Sequence, residues 1–305
     1  MTVDDVPTTR RGLAKLEAMD TRGRALVLAS ARIACGLLWL ANLHWKVPPK
    51  FGEDTGGGLY KYTVSAVDNP VWGFWKWVTT ELVLPNFQLF GWMVIVVDGT
   101  LAALLLIGYK TRAAALIGAF NAIPIFLSVL YYDKTYEWPW SYALIFFLHL
   151  MLYAVPPGEH APRIDTALRA DRRVRDKTFV VLGAVAIAVG AIGWYLARDV
   201  DFATQRVAML GHAKWELKLL WFNGLSALLT ILFGIGLVVG ARRRMIALAA
   251  GIGFGLMAVV ALVQQNWSNV SKGPPPLVGT GSNAAFWAMF TVAAVVLFRA
   301  ERRRA

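Results

Sequence analysis

Eight apolar runs, near residues 26–43, 88–107, 113–132, 140–156, 178–196, 219–239, 246–264 and 284–299, leave this chain few folds to choose from. Runs of about 16 to 21 residues, rising 1.5 Å per residue in a helix, come close to the ~30 Å hydrocarbon core of a bilayer. Composition agrees: of 305 residues, 57% are hydrophobic and 16% charged, and the mean hydropathy is +0.51. A soluble globular domain carries more charge than this. The expected fold is an all-α polytopic membrane protein with eight transmembrane helices.

Basic residues set the orientation, because cytoplasmic loops carry the Lys/Arg excess. An even number of spans puts both termini on one side. The N-terminal tail, YKTR (109–112), the stretch 163–177, ARRR (241–244) and FRAERRR (298–304) hold most of the Lys and Arg and share that side. Both termini are therefore expected in the cytoplasm, and the protein in the plasma membrane as a multi-pass chain. A net charge of +12 and a pI near 10.0 would raise nucleic-acid binding in a soluble chain. Here the charge is topogenic, with affinity for anionic lipid, and no nucleic-acid partner is expected. Residues 1–24 read as a cytoplasmic tail without a signal-peptide cleavage site. One cysteine, Cys35, excludes an intramolecular disulfide and a CxxC site. The thirteen Trp fall in outer loops or outer halves of spans, supporting an interfacial platform, an aromatic pocket near the outer leaflet, or simple headgroup anchoring.

An internal repeat is legible. LLLIGYKTRAAALIGAF and IGLVVGARRRMIALAAG are both tight helical hairpins, and matching Gly108 to Gly240 also matches Arg112 to Arg244. Each half then has a span, an outer loop, the hairpin, another outer loop and a final span, as two parallel four-helix units do. The units run over 25–172 and 173–305, joined by RIDTALRADRRVRDK (163–177), which can form a short surface helix. NPVWGFWKWVTTELVL (69–84) reads as an interfacial amphipathic helix started by Pro70.

Asp98 interrupts the apolar run GWMVIVVDGTLAALLLIG, and Arg32 interrupts the run before it. An ionisable group at membrane depth costs about 2.5 to 3.5 kcal/mol on insertion scales, so it faces the interior and pairs. Arg32 is the expected partner of Asp98. Counting helical rise puts Arg32 about 12 Å from the cytoplasmic end, Asp98 about 15 Å, Asn121 about 12 Å and His149 about 10 Å, one residue per helix of the first unit. The pair reads either as a packing ion pair or as a proton-linked or ligand-orienting site. His149 is a further titrating candidate or a satisfied structural histidine, and Asn121 an interhelical hydrogen-bond former. Beyond them HWK supplies His44, Trp45 and Lys46, which suit a headgroup, a quinone ring edge or an anion, or a snorkelling lysine. Trp39, one helical turn before Leu43, and Asn121, in a second role, complete the binding candidates. His44 and His149 differ too much in depth to share a haem, and no Cys/His cluster has metal-ligand spacing, so neither haem nor metal is expected. The second unit has Thr230 opposite Asp98. Its polar residues His212, Lys214, Glu216 and Lys218 gather at the outer boundary, as for a docking surface.

Residues 25–170 resemble the DoxX/DoxD family of four-helix membrane proteins. RIACGLLWLANLHWK supplies Arg32, Gly36 and Lys46; VDGTLAALLLIGYKTRAAALIGAF supplies Asp98, where Glu is more usual, with Gly108, Thr111 and Arg112; WPWSYALIFFLHLMLYAVPPGEHAPRIDTAL supplies Trp140, Tyr142, His149 and Asp165. The resemblance implies a membrane subunit of thiosulfate:quinone oxidoreduction or of a thiol-stress complex. The second unit departs from it, standing in for a partner subunit or duplicating the fold. The expected function is thus an integral subunit of a quinone-linked redox complex, with quinone as substrate, a redox partner subunit, and Asp98, Arg32 and His149 handling protons. The alternatives are a non-catalytic scaffold or assembly protein and a transporter of a small anion or lipid-like solute.

Overall fold

The computed structural model describes residues 6–132, 138–155, 164–199, 202–203, 207–208, 219–271 and 280–302. His212, Lys214, Glu216 and Lys218 lie outside them. The described chain is helical apart from a two-residue antiparallel pair, β1 (Val207–Ala208) and β2 (Trp221–Phe222). Helix α1 (Val6–Ala41) joins the polar N-terminal stretch to the first apolar run without a break. After it, α2 (Gly58–Asp68) and α3 (Gly73–Trp77) form, and the chain then runs through a π turn (Val78–Val83) and a 3-10 turn (Leu84–Asn86) straight into α4 (Phe87–Ile107). The 69–84 segment is therefore not a separate helix begun by Pro70. It is the leading end of a continuous 35-residue helical stretch, Gly73–Ile107. That end exposes Trp72, Phe74 and Trp77, as an interfacial segment does.

Helices α5 (Thr111–Val129) and α6 (Trp138–Ala154) complete a ring in which α1 packs on α4, α4 on α5, α5 on α6 and α6 on α1. The short α7 (Ile164–Arg169) leads to α8 (Arg172–Leu196), and a second ring follows: α8 on α9 (Gly224–Gly240), α9 on α10 (Arg244–Ser271), α10 on α11 (Gly281–Arg302) and α11 on α8. The rings meet where α11 packs on α4. Among the described residues, six helices are long and apolar enough to cross a membrane; Trp140–Ala154 and Gly224–Gly240 are apolar but shorter. Leu26, Met93, Phe120, Phe147, Leu256 and other large apolar side chains point outward around the bundle. Water would not tolerate so broad an apolar surface, whereas lipid matches it. The chain is an all-α membrane protein.

The two hairpins end their first helices differently. Gly108 closes α4 in the left-handed region (φ 66°), donating to Leu104 and Leu105 carbonyls, a conformation that glycine adopts without strain. The Asp165 carboxylate then receives the amides of Lys110 (3.1 Å) and Thr111 (3.4 Å), capping α5 from α7. In the second hairpin Gly240 stays helical, and its value is close approach: a Cβ there would lie 2.3 Å from Ala247 N. The matched arginines both reach the ends of neighbouring helices. Arg112 donates to the Tyr153 carbonyl on α6 (3.1 Å), and Arg244 pairs with Asp176 on α8 and Glu301 on α11.

Candidate functional site

Asp98 is fully buried on α4, and both carboxylate oxygens are bonded. One takes the Lys46 ammonium in an ion pair; the other accepts from Asn121 Nδ2 at 2.8 Å. Arg32, the partner expected from the sequence, is elsewhere: its Nη1 donates to the carbonyls of Leu105 and Leu106, the latter at 3.0 Å, near the C-terminal end of α4. Seven residues of rise separate Leu105 from Asp98, about 10 Å. Arg32 thus adds a charged donor to carbonyls in the last turn of α4, where the negative end of the helix dipole favours a cation. Equal counted depth did not imply a shared partner, because the loop after α1 carries Lys46 back into the bundle, next to Asp98.

That return is built by Phe51. Its side chain is fully buried, edge-on to Phe87 and Trp92, and sits so close over Gly91 that a Cβ there would lie 2.2 Å from the ring. Gly52, in the left-handed region at φ 93°, turns the loop beside it. With the loop pinned, Lys46 is 2% exposed and its ammonium lies 5.1 Å from the Trp45 ring centroid. A buried ammonium is costly unless paired, and Asp98 supplies the counter-charge.

His149 does not join this group. Its Nε2 accepts from Trp39 Nε1 at 3.0 Å, so the ring proton is on Nδ1, which donates to Ile145 O at 2.7 Å. This is the neutral tautomer with both nitrogens occupied. Gly118 makes room for it, since a Cβ there would lie 2.2 Å from the imidazole. Both rings are essentially sealed from solvent. His149 and Trp39 thus bond each other, apart from the Lys46–Asp98–Asn121 group. His44, whose Nδ1 lies 2.7 Å from Ala41 O, does not line the cavity described next.

In front of the Lys46–Asp98–Asn121 group lies a cavity of about 120 Å³. A dry cavity of about 150 Å³ takes benzene, so this one is on the scale of a few waters or one small ring. Trp45, Tyr62, Trp75, Phe90 and Tyr142 give it aromatic walls, and Lys46 and Asn121 are its charged and amide contributions. Asp98 does not reach the wall; it stands behind Lys46 and Asn121 and holds both. The π turn contributes Thr79 and Val83, and α5 contributes Pro124, Ile125, Ser128 and Val129. Proline removes a backbone donor from α5, and Ser128 Oγ donates to the Pro124 carbonyl at 2.7 Å. Both irregularities, a π segment and a helix-interior proline, border the cavity. Beyond Tyr62, the Lys61 ammonium lies 5.9 Å from the Tyr132 ring centroid, and this phenol raises the lysine pKa; burial raises that of Tyr62.

Tyr62, Trp75 and Tyr142 had no individual signal in the sequence as cavity residues. Their common source is the aromatic richness of the 45–86 and 138–142 segments. No family model, curated protein or solved structure matches the chain.

Proposed function

We propose that the chain is an eight-span plasma-membrane protein with cytoplasmic termini, acting as the quinone-binding subunit of a redox complex. One observation carries this reading: a buried Lys–Asp ion pair in an all-α membrane protein fronts an aromatic cavity through Lys46 and Asn121. Intramembrane charges mark functional sites by default, and apolar pockets with few convergent polar groups are the usual small-molecule sites. A quinone head is flat, apolar on its faces and rimmed by oxygen acceptors, which suits aromatic walls and an ammonium donor.

Quinone reduction takes up two electrons and two protons to give the quinol. The resemblance of residues 25–170 to DoxX/DoxD proteins favours a reduced sulfur donor, two thiosulfate ions joining as tetrathionate as they release those electrons. In this scheme Lys46 donates to the ligand oxygen, Asp98 fixes Lys46 and Asn121, and the aromatic walls exclude water. Residues 1–24 form the cytoplasmic tail, 25–172 the binding unit and 173–305 a supporting unit. Arg32 and His149 hold the bundle. A non-catalytic scaffold is the second reading, favoured by the full hydrogen bonding of Asp98, which leaves that carboxylate no idle oxygen.

The test is purification in detergent with native partners, followed by thiosulfate-dependent reduction of a short-tailed quinone. Wild type is expected to turn over, with Lys46→Met reducing the rate at least about 100-fold, as expected for loss of one preorganised charged donor. Absence of turnover in wild type with its partners present would overturn the catalytic reading in favour of the scaffold.

A further inference from the structure

The orientation of the Asn121 amide follows from its partner. Asp98 is paired with an ammonium and is a carboxylate, which only accepts; the amide nitrogen must therefore face it, at 2.8 Å, and the amide oxygen must face away. Among the described residues no donor reaches Asn121 Oδ1, and the residue lines the cavity. Lys46 has three N–H groups, of which Asp98 takes one. The same wall therefore offers the cavity a charged donor and, beside it, a neutral acceptor. Both are fixed by one carboxylate that the ligand never touches.

We infer that the two groups read different redox states of one ligand: Lys46 donates to the carbonyl oxygen of the quinone, and Asn121 Oδ1 accepts from the hydroxyl of the quinol. The inference rests on the quinone reading above. A carbonyl oxygen has no proton to give Asn121, whereas a phenolic hydroxyl has one. Conversion of quinone to quinol, with two electrons and two protons added, turns the oxygen beside Lys46 from pure acceptor into donor and acceptor. The quinol satisfies both groups, whereas the quinone satisfies Lys46 and leaves Asn121 Oδ1 without a donor, which is the source of the difference. Asp98 is a positioning residue in this arrangement.

The consequence is measurable without the electron donor. Dissociation constants of a short-tailed quinone and its anaerobically prepared quinol are determined for wild type, Asn121→Leu, Asn121→Gln, Lys46→Met and Lys46→Arg in detergent. Asn121→Leu is expected to weaken quinol binding about tenfold more than quinone binding, lowering the potential of the bound couple by about 30 mV for two electrons. Lys46→Met shifts it upward, because it costs the quinone more than the quinol. Asn121→Gln and Lys46→Arg, which keep the acceptor and the donor, restore most of the difference. A general loss of packing would weaken both forms alike and move no potential. Equal weakening of both forms in both truncated variants overturns the inference while leaving the quinone reading standing. Wild type that binds neither form overturns the reading and the inference together.

Discussion

The two rings of helices have the same packing order but opposite interiors. Matching Gly108 to Gly240 sets Asp98 against Thr230 and Asn121 against Gly253. In the first ring these positions carry an ion pair and an amide in front of a cavity. In the second, Thr230 Oγ1 donates to Ser226 O (2.7 Å) and accepts from Trp287 Nε1 (3.0 Å), a closed neutral pair. The Phe233 ring occupies the place next to Gly253, where a Cβ would lie 2.5 Å from it. Phe254 stacks on Phe290 with centroids 4.7 Å apart. One scaffold is thus opened by charge, a proline and a π turn, and closed by glycine and phenylalanine. Packing alone needs none of the first set, and this contrast supports the proposal that the polar interior binds a ligand.

The largest test of this contrast is stability. Asp98→Leu leaves the Lys46 ammonium buried without a counter-charge and is expected to cost about 3 to 5 kcal/mol, whereas Lys46→Met combined with Asp98→Leu costs far less because no lone charge remains. Denaturant titration in mixed micelles reads both; additive losses would break the pairing. Thr230→Val in the second ring removes the acceptor for Trp287 and should cost about 1 to 3 kcal/mol by the same measurement.

Gly118→Ala and Gly253→Ala should each cost about 1 to 3 kcal/mol by overpacking, the first against His149 and the second against Phe233. Similar stability costs with an effect on ligand affinity only in the first ring would sharpen the contrast. The smallest effects lie at the helix ends. Arg244→Met, which takes a partner from Asp176 and leaves Glu301 with Arg172 at 3.7 Å, should cost about 1 kcal/mol, and Arg112→Met, at an exposed carbonyl contact, less. A larger loss at Arg112 would reverse the assigned ranking.

Helix positions were legible in the sequence because apolar run length is set by hydrocarbon thickness: the runs at 88–107 and 178–196 lie within α4 and α8. The weight on Asp98 was legible for the same reason, as was Asn121 at its depth. The partner was not. Helical rise ranks residues by depth but says nothing of azimuth, so Arg32 and Asp98 appeared level and adjacent when Arg32 serves the other end of α4. Lys46 was visible as a charge at a span end, where snorkelling outward is common. Its inward turn depends on Phe51 seating over Gly91, a contact forty residues apart that no local period encodes. His149 appeared available for titration because nothing in its own helix shows that Trp39 supplies its hydrogen bond.

The most direct test is the site of ligand binding. Isothermal titration of a short-tailed quinone into the detergent-purified protein should give one site per chain, weakened at least about tenfold in Lys46→Met and retained in Thr230→Val. Binding that survives Lys46→Met unchanged, or that disappears in well-folded Thr230→Val, would contradict the assignment of the ligand to the first ring.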